Sequence, residues 1–480
     1  MIDKIALFHP LLFSFVFVIS PYTQYAGLIP PMQIVVPFIL ICVFTIFLYF
    51  IIKRIVTKAN LAVAILAPML ILFFYYGTLY EYISSLTRGT KLRIPVLILA
   101  NLLILIILVI FIVKVFRWHE GAIKKTNRIF FVIAASIIVF NTFSIIKQYI
   151  VSPKLNASLG MPGISKQNHT EYFPDIYFII LDEYAAPSQM KSYFQYDMSP
   201  FIEYIKGKGF IVTEIRDESL ATGDIMESRL NMEIINHKDD MASSKSILNR
   251  LFESMGLRNS YEKGQMIRIR NSKVIKYLNS IGYQFINIGS WFYQTRYNKL
   301  AVQNINCFGF QFKDELSTII VNNTVLRLIL IKRYFHRRAV IRAFDVLENM
   351  PIISGKAKFI FAHIICPHTP YVFGANGEKL GLNPEKSNDN KHLYLDQHIF
   401  ITKKVKELID QIHSSSQASS VIIIQADHGF RIDKPQADKV FSAVYIPSKK
   451  RTPWPDSISS SNTFRILFND LFGSKYEILQ

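Results

Sequence analysis

Three apolar segments of this chain end in side chains that bind hard metal ions and phosphate. Asp175-Ile-Tyr-Phe-Ile-Ile-Leu runs into Asp182 and Glu183, and Val421-Ile-Ile-Ile runs through Gln425 and Ala426 into Asp427-His428-Gly429. Lys358-Phe-Ile-Phe-Ala-His-Ile-Ile runs into Cys366-Pro367-His368-Thr369-Pro370-Tyr371. Ligands of open α/β sheets sit beyond the carboxyl ends of strands, which is where these residues would lie. Singly, each has a plain role: an Asp at a strand end caps the next helix, and a loop His is a surface side chain. Two carboxylates and an imidazole brought to one sheet edge instead make a site for a hard divalent ion or for zinc. His363, inside its strand pattern, reads as a hydrogen-bonded core histidine and not a ligand.

A nucleophile is offered by the stretch Asp217 to Met232, where Thr222-Gly223 stands just before a helical pattern. Backbone N–H groups at a helix N-terminus favour phosphate, and a Thr there with its hydroxyl ionised on a metal can attack phosphorus. The alternative is that Thr222 only N-caps the helix.

The elements that must position these residues form an α/β pattern. Ile176 to Leu181, Phe210 to Val212, Phe285 to Ile288, Phe359 to Ile365, Val421 to Ile424 and Ala443 to Ile446 read as strands. Helical patterns at Ser199 to Lys206, Thr222 to Ile235 and Asp396 to Ile412 lie between them. A largely parallel sheet covered by helices on both faces follows.

Ahead of this domain the chain is of another kind. Five apolar runs, Ile5 to Ser20, Ile34 to Ile52, Leu61 to Tyr76, Ile94 to Val113 and Ile129 to Ile146, read as a transmembrane helix bundle over residues 1–151. The first run is read as an uncleaved anchor, with a cleaved signal peptide as the alternative. Lys4, Lys53, Arg54, Lys58, Lys114, Arg117, Lys124, Lys125 and Arg128 fall on one side of the bundle, and Arg88, Lys91 and Arg93 on the other. The richer side belongs in the cytoplasm, so a linker over 152–173 leads to an extracytoplasmic domain over 174–480 under either reading of the first run. The whole chain of 480 residues is 51% hydrophobic with a net charge of +19, which excludes a disordered chain. The excess cation fits anionic lipid or phosphate-bearing substrates, and the bilayer-length runs argue against nucleic acid. Cys42 lies in a span, and Cys307 and Cys366 form either one bridge or two buried thiols.

The three strand-end motifs and the Thr222 segment, in this order, resemble the sulfatase-like branch of the alkaline phosphatase superfamily. Membrane-embedded members such as lipoteichoic acid synthases and lipid A phosphoethanolamine transferases are the most similar in layout. Pro174 to Asp182 resembles the family's first strand with its acidic metal ligand, and Asp427-His428-Gly429 its ligand pair. Pro367-His368-Thr369-Pro370-Tyr371 resembles the substrate-side motif, and Asn462 to Gly473 the C-terminal helix. Alignment from Leu230-Asn231-Met232 places Thr222 on the family's nucleophile. Glu227 and Arg229 stand where small residues are usual, and Glu183 replaces a customary Gly; Ser219 and Ser228 are fallback hydroxyls. Thr222-Gly-Asp-Ile-Met lacks both the Cys or Ser and the following Arg of the formylglycine motif, which disfavours sulfate ester hydrolysis.

The resemblance implies one divalent ion, Mn or Mg ahead of Zn, on Asp182, Thr222, Asp427 and His428. It implies a transferase moving a phosphoglycerol or phosphoethanolamine head group from a membrane phospholipid to an envelope glycan, lipid or polymer through Thr222. His368 would contact the head group or protonate the departing oxygen, with Tyr371 lining the pocket. A hydrolase with the same site and a membrane-anchored pseudoenzyme are the alternatives. Val325 to Arg338 mixes aliphatic and basic residues, as either an interfacial helix or a core helix with a basic end.

Overall fold

A computed structural model describes residues 6–86, 93–116, 119–157, 173–217, 219–235, 260–307, 314–328, 332–350, 356–381, 390–414, 420–433, 436–447, 454–455 and 458–479. The chain forms two compact units. One comprises Met1–Ser158, Ala242–Lys263 and Phe312–Leu330, the other Leu159–Met241, Gly264–Gln311 and Ile331–Gln480.

The five expected helices of the first unit are α1 (His9–Gln24), α2 (Val35–Ile55), α3 (Ala59–Leu86), α4 (Arg93–Phe116) and α5 (Glu120–Ala157). Among the described residues three stretches, Pro31–Ile55, Ala59–Tyr80 and Glu120–Ile150, are long and apolar enough to cross a membrane. The 16 residues of α1 fall short of that length. Apolar helices in lipid gain nothing from hydrophobic association, so close packing and interhelical hydrogen bonds must join them. Here α1 supplies these bonds: Ser14 Oγ lies 2.8 Å from Thr45 Oγ1, and Tyr22 Oη 2.9 Å from Tyr149 Oη. Asn141 Nδ2 donates to Ser20 Oγ at 3.2 Å. The expected linker begins inside α5, and residues 158–172 lie outside the described residues.

In the sheet-bearing unit, α6 (Pro187–Phe194), α7 (Ser199–Gly207), α8 (Thr222–Asn231) and α10 (Lys273–Ser280) precede or surround the first strands, and α9 (Ser260–Arg270) spans the division between the units. A later stretch returns to the first unit. Helix α11 (Glu315–Asn323) and the 3-10 turn Val325–Leu328 pack with its helices. Arg327 Nη1 donates to Gly77 O at 3.0 Å and the guanidinium lies 4.6 Å from the Tyr80 ring centre. A Cβ on Gly77 would approach Asn323 Cα to 2.6 Å, so this contact needs glycine. The stretch 325–338 is divided between the two units. Residues 329–331 lie outside the described residues, and Lys332 opens α12 (Lys332–Glu348) in the other unit. There Arg337 Nη2 donates to Gly377 O at 2.9 Å and its guanidinium covers the Phe373 ring at 4.5 Å.

The sheet has seven strands in the order β2-β7-β6-β1-β5-β3-β4. These are β1 (Ile176–Leu181), β2 (Ile211–Arg216), β3 (Gln284–Gly289), β4 (Gln303–Asn306), β5 (Lys358–Ile364), β6 (Val421–Ala426) and β7 (Lys439–Tyr445). Pairing is parallel from β6 to β4, and β7 pairs antiparallel with both β6 and β2, so β7 alone runs against the others. Every residue of β1, β5 and β6 is buried, which explains their continuous apolar sequences. Side chains alternate between two cores. Tyr177, Ile179 and Leu181 face one core with Phe344 of α12 and Ile401, Val405 and Leu408 of α13 (Asn390–Ser414). Ile176, Phe178 and Ile180 face the other, with Met226 and Leu230 of α8 and Phe464, Leu467 and Phe468 of α14 (Thr463–Phe472). Cys307 and Cys366 are buried and unbridged.

Helix α13 braces the turn after β1. Tyr394 Oη donates to Glu183 O at 2.6 Å and accepts from Ala185 N at 3.1 Å. The His398 ring stacks on Tyr184 with centres 4.0 Å apart, and its Nε2 lies 3.4 Å from Ala185 O. Burial pushes the His398 pKa down from 6.5 to about 3, against the opposing pull of the Ala185 carbonyl. The unfolded chain thus binds this proton near pH 6.5 and the folded chain only near 3, so stability is lost as pH falls between the two values. In His398→Phe the melting temperature is expected to fall less steeply than in wild type over that window, with parallel curves above pH 7. Identical acid slopes would contradict this reading.

Candidate functional site

The carboxyl ends of β6, β1, β5 and β3 lie side by side, and each delivers polar residues to the same edge. Asp182 follows β1 directly, its N–H bonded to Ile364 O of β5 at 2.9 Å. Asp427 follows β6, and residues 366 to 371 follow β5. Helix α8 brings Thr222 to this edge. Ala221 holds the N-cap position with extended backbone, so Thr222 is the first helical residue and not the cap. Its hydroxyl donates instead to Asp427 Oδ2 at 2.7 Å. A Cβ on Gly223 would run into the Gln265 amide, and that amide donates to Asp224 Oδ1 at 2.7 Å. Small size at 223 therefore lets the helix start settle.

Asp182, Asp427 and His428 offer ligand atoms that all lie within 4.8 Å of one another. Asp427 and His428 are fully buried, and Asp182 and Thr222 nearly so. Asp427 Oδ1 accepts from Glu183 N at 2.9 Å and His428 N at 2.8 Å, which fixes the carboxylate. His428 Nδ1 lies 2.7 Å from Gly429 O and must donate to it, leaving the Nε2 lone pair to face Asp182 Oδ1 at 3.6 Å and Asp427 Oδ2 at 3.4 Å. Neither His428 Nε2 nor Asp182 Oδ1 has a hydrogen-bond partner among the described residues. Buried acceptors aimed at one another call for a cation between them, and this donor set of carboxylates, hydroxyl and imidazole fits a divalent one.

His363 is a buried histidine that also faces this group. It is buried, with Nδ1 3.0 Å from Thr295 Oγ1, as expected of a core residue. Its Nε2, however, faces Asp182 Oδ2 at 3.5 Å. Burial pushes the Asp182 carboxyl up, yet His368, His363 and His428 outweigh it and hold the group well below the usual carboxylate range. His368 lies on the other side, its N–H bonded to Asp182 O at 3.1 Å and its Nδ1 2.7 Å from Thr369 O. Burial lowers its pKa, but the Asp182 and Glu183 carboxylates prevail and raise it. The peptide bonds before Pro367 and Pro370, flanking His368, are both cis. Tyr371 is 2% exposed and belongs to the core.

Glu183 occupies the left-handed region at φ 62. That conformation suits glycine and costs a bulky residue about 1 kcal/mol or more. Three bonds hold it: its N–H to Asp427, its carbonyl from Tyr394, and Arg431 N to its Oε1 at 3.2 Å. Burial raises its pKa, countered by His368 and His428. Glu227 and Arg229 lie behind the site, and both are paired. Arg229 Nη2 donates to Asp217 Oδ2 at 2.7 Å, and Glu227 forms an ion pair with Arg268. The fallback hydroxyls are engaged elsewhere: Ser219 donates to Asp224 Oδ2 at 2.9 Å and Ser228 accepts from Ile235 N at 3.2 Å.

Three features escaped sequence reasoning: the approach of His363 to Asp182, the loop after β3, and Arg431. That loop supplies Thr295 to His363, and Trp291 lies 6.4 Å from the His368 ring. Arg431 Nη2 donates to Leu220 O at 2.7 Å and lies 3.5 Å from Thr222 Oγ1. An Arg four residues after Asp427 was the available signal.

No family model and no curated protein matches the chain. Solved structures are similar to it at low identity. The C-terminal periplasmic domain of EcEptC from Escherichia coli, in complex with Zn, is 12% identical, with a TM-score of 0.41 over 66% of this chain and 87% of that one. The lipoteichoic acid synthase LtaP from Listeria monocytogenes is 10% identical, with a TM-score of 0.38 over 68% of this chain and 79% of that one. The integral membrane lipooligosaccharide phosphoethanolamine transferase EptA from Neisseria meningitidis is 11% identical, with a TM-score of 0.38 over 92% of this chain and 88% of that one.

Binding of a divalent ion to the folded state should raise the melting temperature by mass action, worth about 2.7 kcal/mol at a hundredfold excess over Kd. Titrating Mn, Mg and Zn into the metal-stripped protein is expected to show that rise, and Asp427→Asn to abolish it. His363→Gln should weaken affinity about 10 to 100-fold, as loss of a ligand-orienting partner does. A full rise in Asp427→Asn would place the ion elsewhere.

Proposed function

We propose that this chain is a metal-dependent transferase that moves a phosphoglycerol or phosphoethanolamine head group from a membrane phospholipid to an envelope acceptor. The observation that carries the reading is the Thr222 hydroxyl, bonded to Asp427 Oδ2 at 2.7 Å beside the unpartnered Asp182 Oδ1 and His428 Nε2. A hydroxyl aimed into a cation site at a helix N-terminus is arranged for attack on phosphorus.

Asp182, Thr222, Asp427 and His428 would hold the ion. When bound, it supplies positive charge that favours the ionised hydroxyl and offsets charge on the phosphoryl oxygens. Thr222 gives up its proton along the bond to Asp427, and its oxygen bonds to phosphorus. The bond from phosphorus to the diacylglycerol oxygen breaks, and the electron pair stays with that oxygen. His368, whose pKa the Asp182 and Glu183 carboxylates raise, donates the proton the departing oxygen needs. An acceptor hydroxyl then loses its proton to His368 and takes the phospho-head-group from Thr222, which recovers its own.

Two further features support the reading. Glu227 and Arg229 are each paired, with Arg268 and Asp217, which supports the enzyme reading over a pseudoenzyme. Three helices able to cross a bilayer would tether the site near lipid head groups, and such tethering supplies proximity. We place the sheet-bearing unit outside the cytoplasmic membrane, following the distribution of basic loop residues.

Purified protein with Mn is expected to release labelled diacylglycerol from phosphatidylglycerol or phosphatidylethanolamine. Thr222→Ala should cut the rate on the order of 10³-fold or more, as loss of a nucleophile does. Equal release by both proteins would remove Thr222 from the reaction. Free phospho-head-group as the sole product in the presence of acceptor would make the enzyme a hydrolase.

A further inference from the structure

Among the described residues, Arg431 is a cation beside Thr222 that no carboxylate pairs with. Its backbone is held firmly, which fixes where the side chain begins. Gly429 N bonds to Ala437 O at 2.9 Å, and Gln189 brackets Phe430 by accepting from its N–H at 2.8 Å and donating to its carbonyl at 3.0 Å. The Phe430 ring is buried against Tyr394, with centres 4.4 Å apart. Arg431 N then bonds to Glu183 Oε1. From this anchored start the guanidinium reaches back to α8, with Nη2 on Leu220 O and 3.5 Å from Thr222 Oγ1.

Other arginines of this unit are tied to a carboxylate or to carbonyls, as Arg229 is to Asp217 and Arg337 to Val372 and Gly377. Arg431 has one carbonyl and the nucleophile's oxygen, and among the described residues no carboxylate pairs with it. The side chain is half-exposed, and its Nη2 is within reach of Thr222. A planar fork of donors is suited to phosphoryl oxygens, where charge gathers during transfer. The positive charge of Arg431 is also felt at His368, the proton donor to the departing oxygen.

We propose that Arg431 is a catalytic residue whose guanidinium holds the non-bridging phosphoryl oxygens as phosphorus passes from lipid to Thr222 and on to the acceptor. This rests on the reading of Thr222 as the nucleophile of a phosphodiester transferase. The Thr222 oxygen–phosphorus bond forms as the phosphorus–diacylglycerol oxygen bond breaks. Arg431 gains and loses no proton in either step, and only its hydrogen bonds to the two non-bridging oxygens change.

The test uses full-length Mn-loaded protein as wild type, Arg431→Gln and Arg431→Lys, with two readouts. The first is turnover of phosphatidylglycerol and phosphatidylethanolamine, resolved into kcat and KM. The second is binding of orthovanadate followed by thermal shift, with Mn affinity measured alongside. Arg431→Gln is expected to lower kcat about 10² to 10³-fold with little change in KM, as removal of one transition-state donor does. Vanadate binding should weaken at least tenfold while Mn affinity stays within about twofold, and Arg431→Lys should recover part of both losses. Wild-type kcat and vanadate affinity in Arg431→Gln would overturn the proposal, as would a loss explained wholly by weaker Mn binding. If wild type turns over neither lipid, the transferase reading fails by itself. The vanadate readout then still decides whether Arg431 holds a tetrahedral oxyanion in front of Thr222.

Discussion

The sheet edge is organised around two buried lone pairs that face each other across 3.6 Å, Asp182 Oδ1 and His428 Nε2. Among the described residues neither meets a donor, and burial denies both the solvation of bulk water. A cation is the physical resolution, and the surrounding bonds fit that requirement. The Gly429 carbonyl sets the His428 tautomer, two backbone N–H groups fix Asp427, and His363 stands against the second oxygen of Asp182. The Thr222 hydroxyl enters the same space through Asp427.

Adjacent parallel strands are what bring these atoms together. Asp182 and Asp427 follow strands paired in register, Leu181 beside Ala426, so the two carboxylates emerge at the same level. Helix α8 is held by pairs pointing away from the chemistry, Arg229 with Asp217 and Glu227 with Arg268. Breaking a buried pair such as Arg229–Asp217 by removing one partner typically costs about 3 to 5 kcal/mol, so these charges secure the helix that carries Thr222. Helix α13 does the same for the turn after β1 by way of Tyr394 and His398.

Much of this was legible in the sequence because strands buried on both faces must be continuously apolar. The runs into Asp182, Asp427 and residues 366 to 371 announced the α/β fold, and the first two the grouping of Asp182, Asp427 and His428. Strand β4, Gln303–Asn306, is polar and exposed or half-buried, so it carries no such signal. The reversed direction of β7 is likewise absent from its local sequence. The approach of His363 to Asp182 depends on the register of β5 against β1, which pairs it with Ile180. Glu227 and Arg229 looked like departures from a small-residue pattern, and only the fold supplies their partners, the nearer 12 residues away and the farther 41. Glu183 in place of glycine is explained by Tyr394 and Asp427, both distant in sequence and close in space. The stretch from Val325 to Arg338 divides between the two units because its halves find different carbonyls, Gly77 for Arg327 and Gly377 for Arg337.

The central claim is that Thr222 carries the phospho-head-group between donor and acceptor. Its most direct test is mass spectrometry of peptides from Mn-loaded protein, acid-quenched after mixing with phosphatidylglycerol or phosphatidylethanolamine without acceptor. The account predicts a phosphoglycerol or phosphoethanolamine adduct on Thr222 that disappears when acceptor is added. Lipid turnover with Thr222 unmodified at every quench time, or an adduct on Ser219 or Ser228, would contradict it.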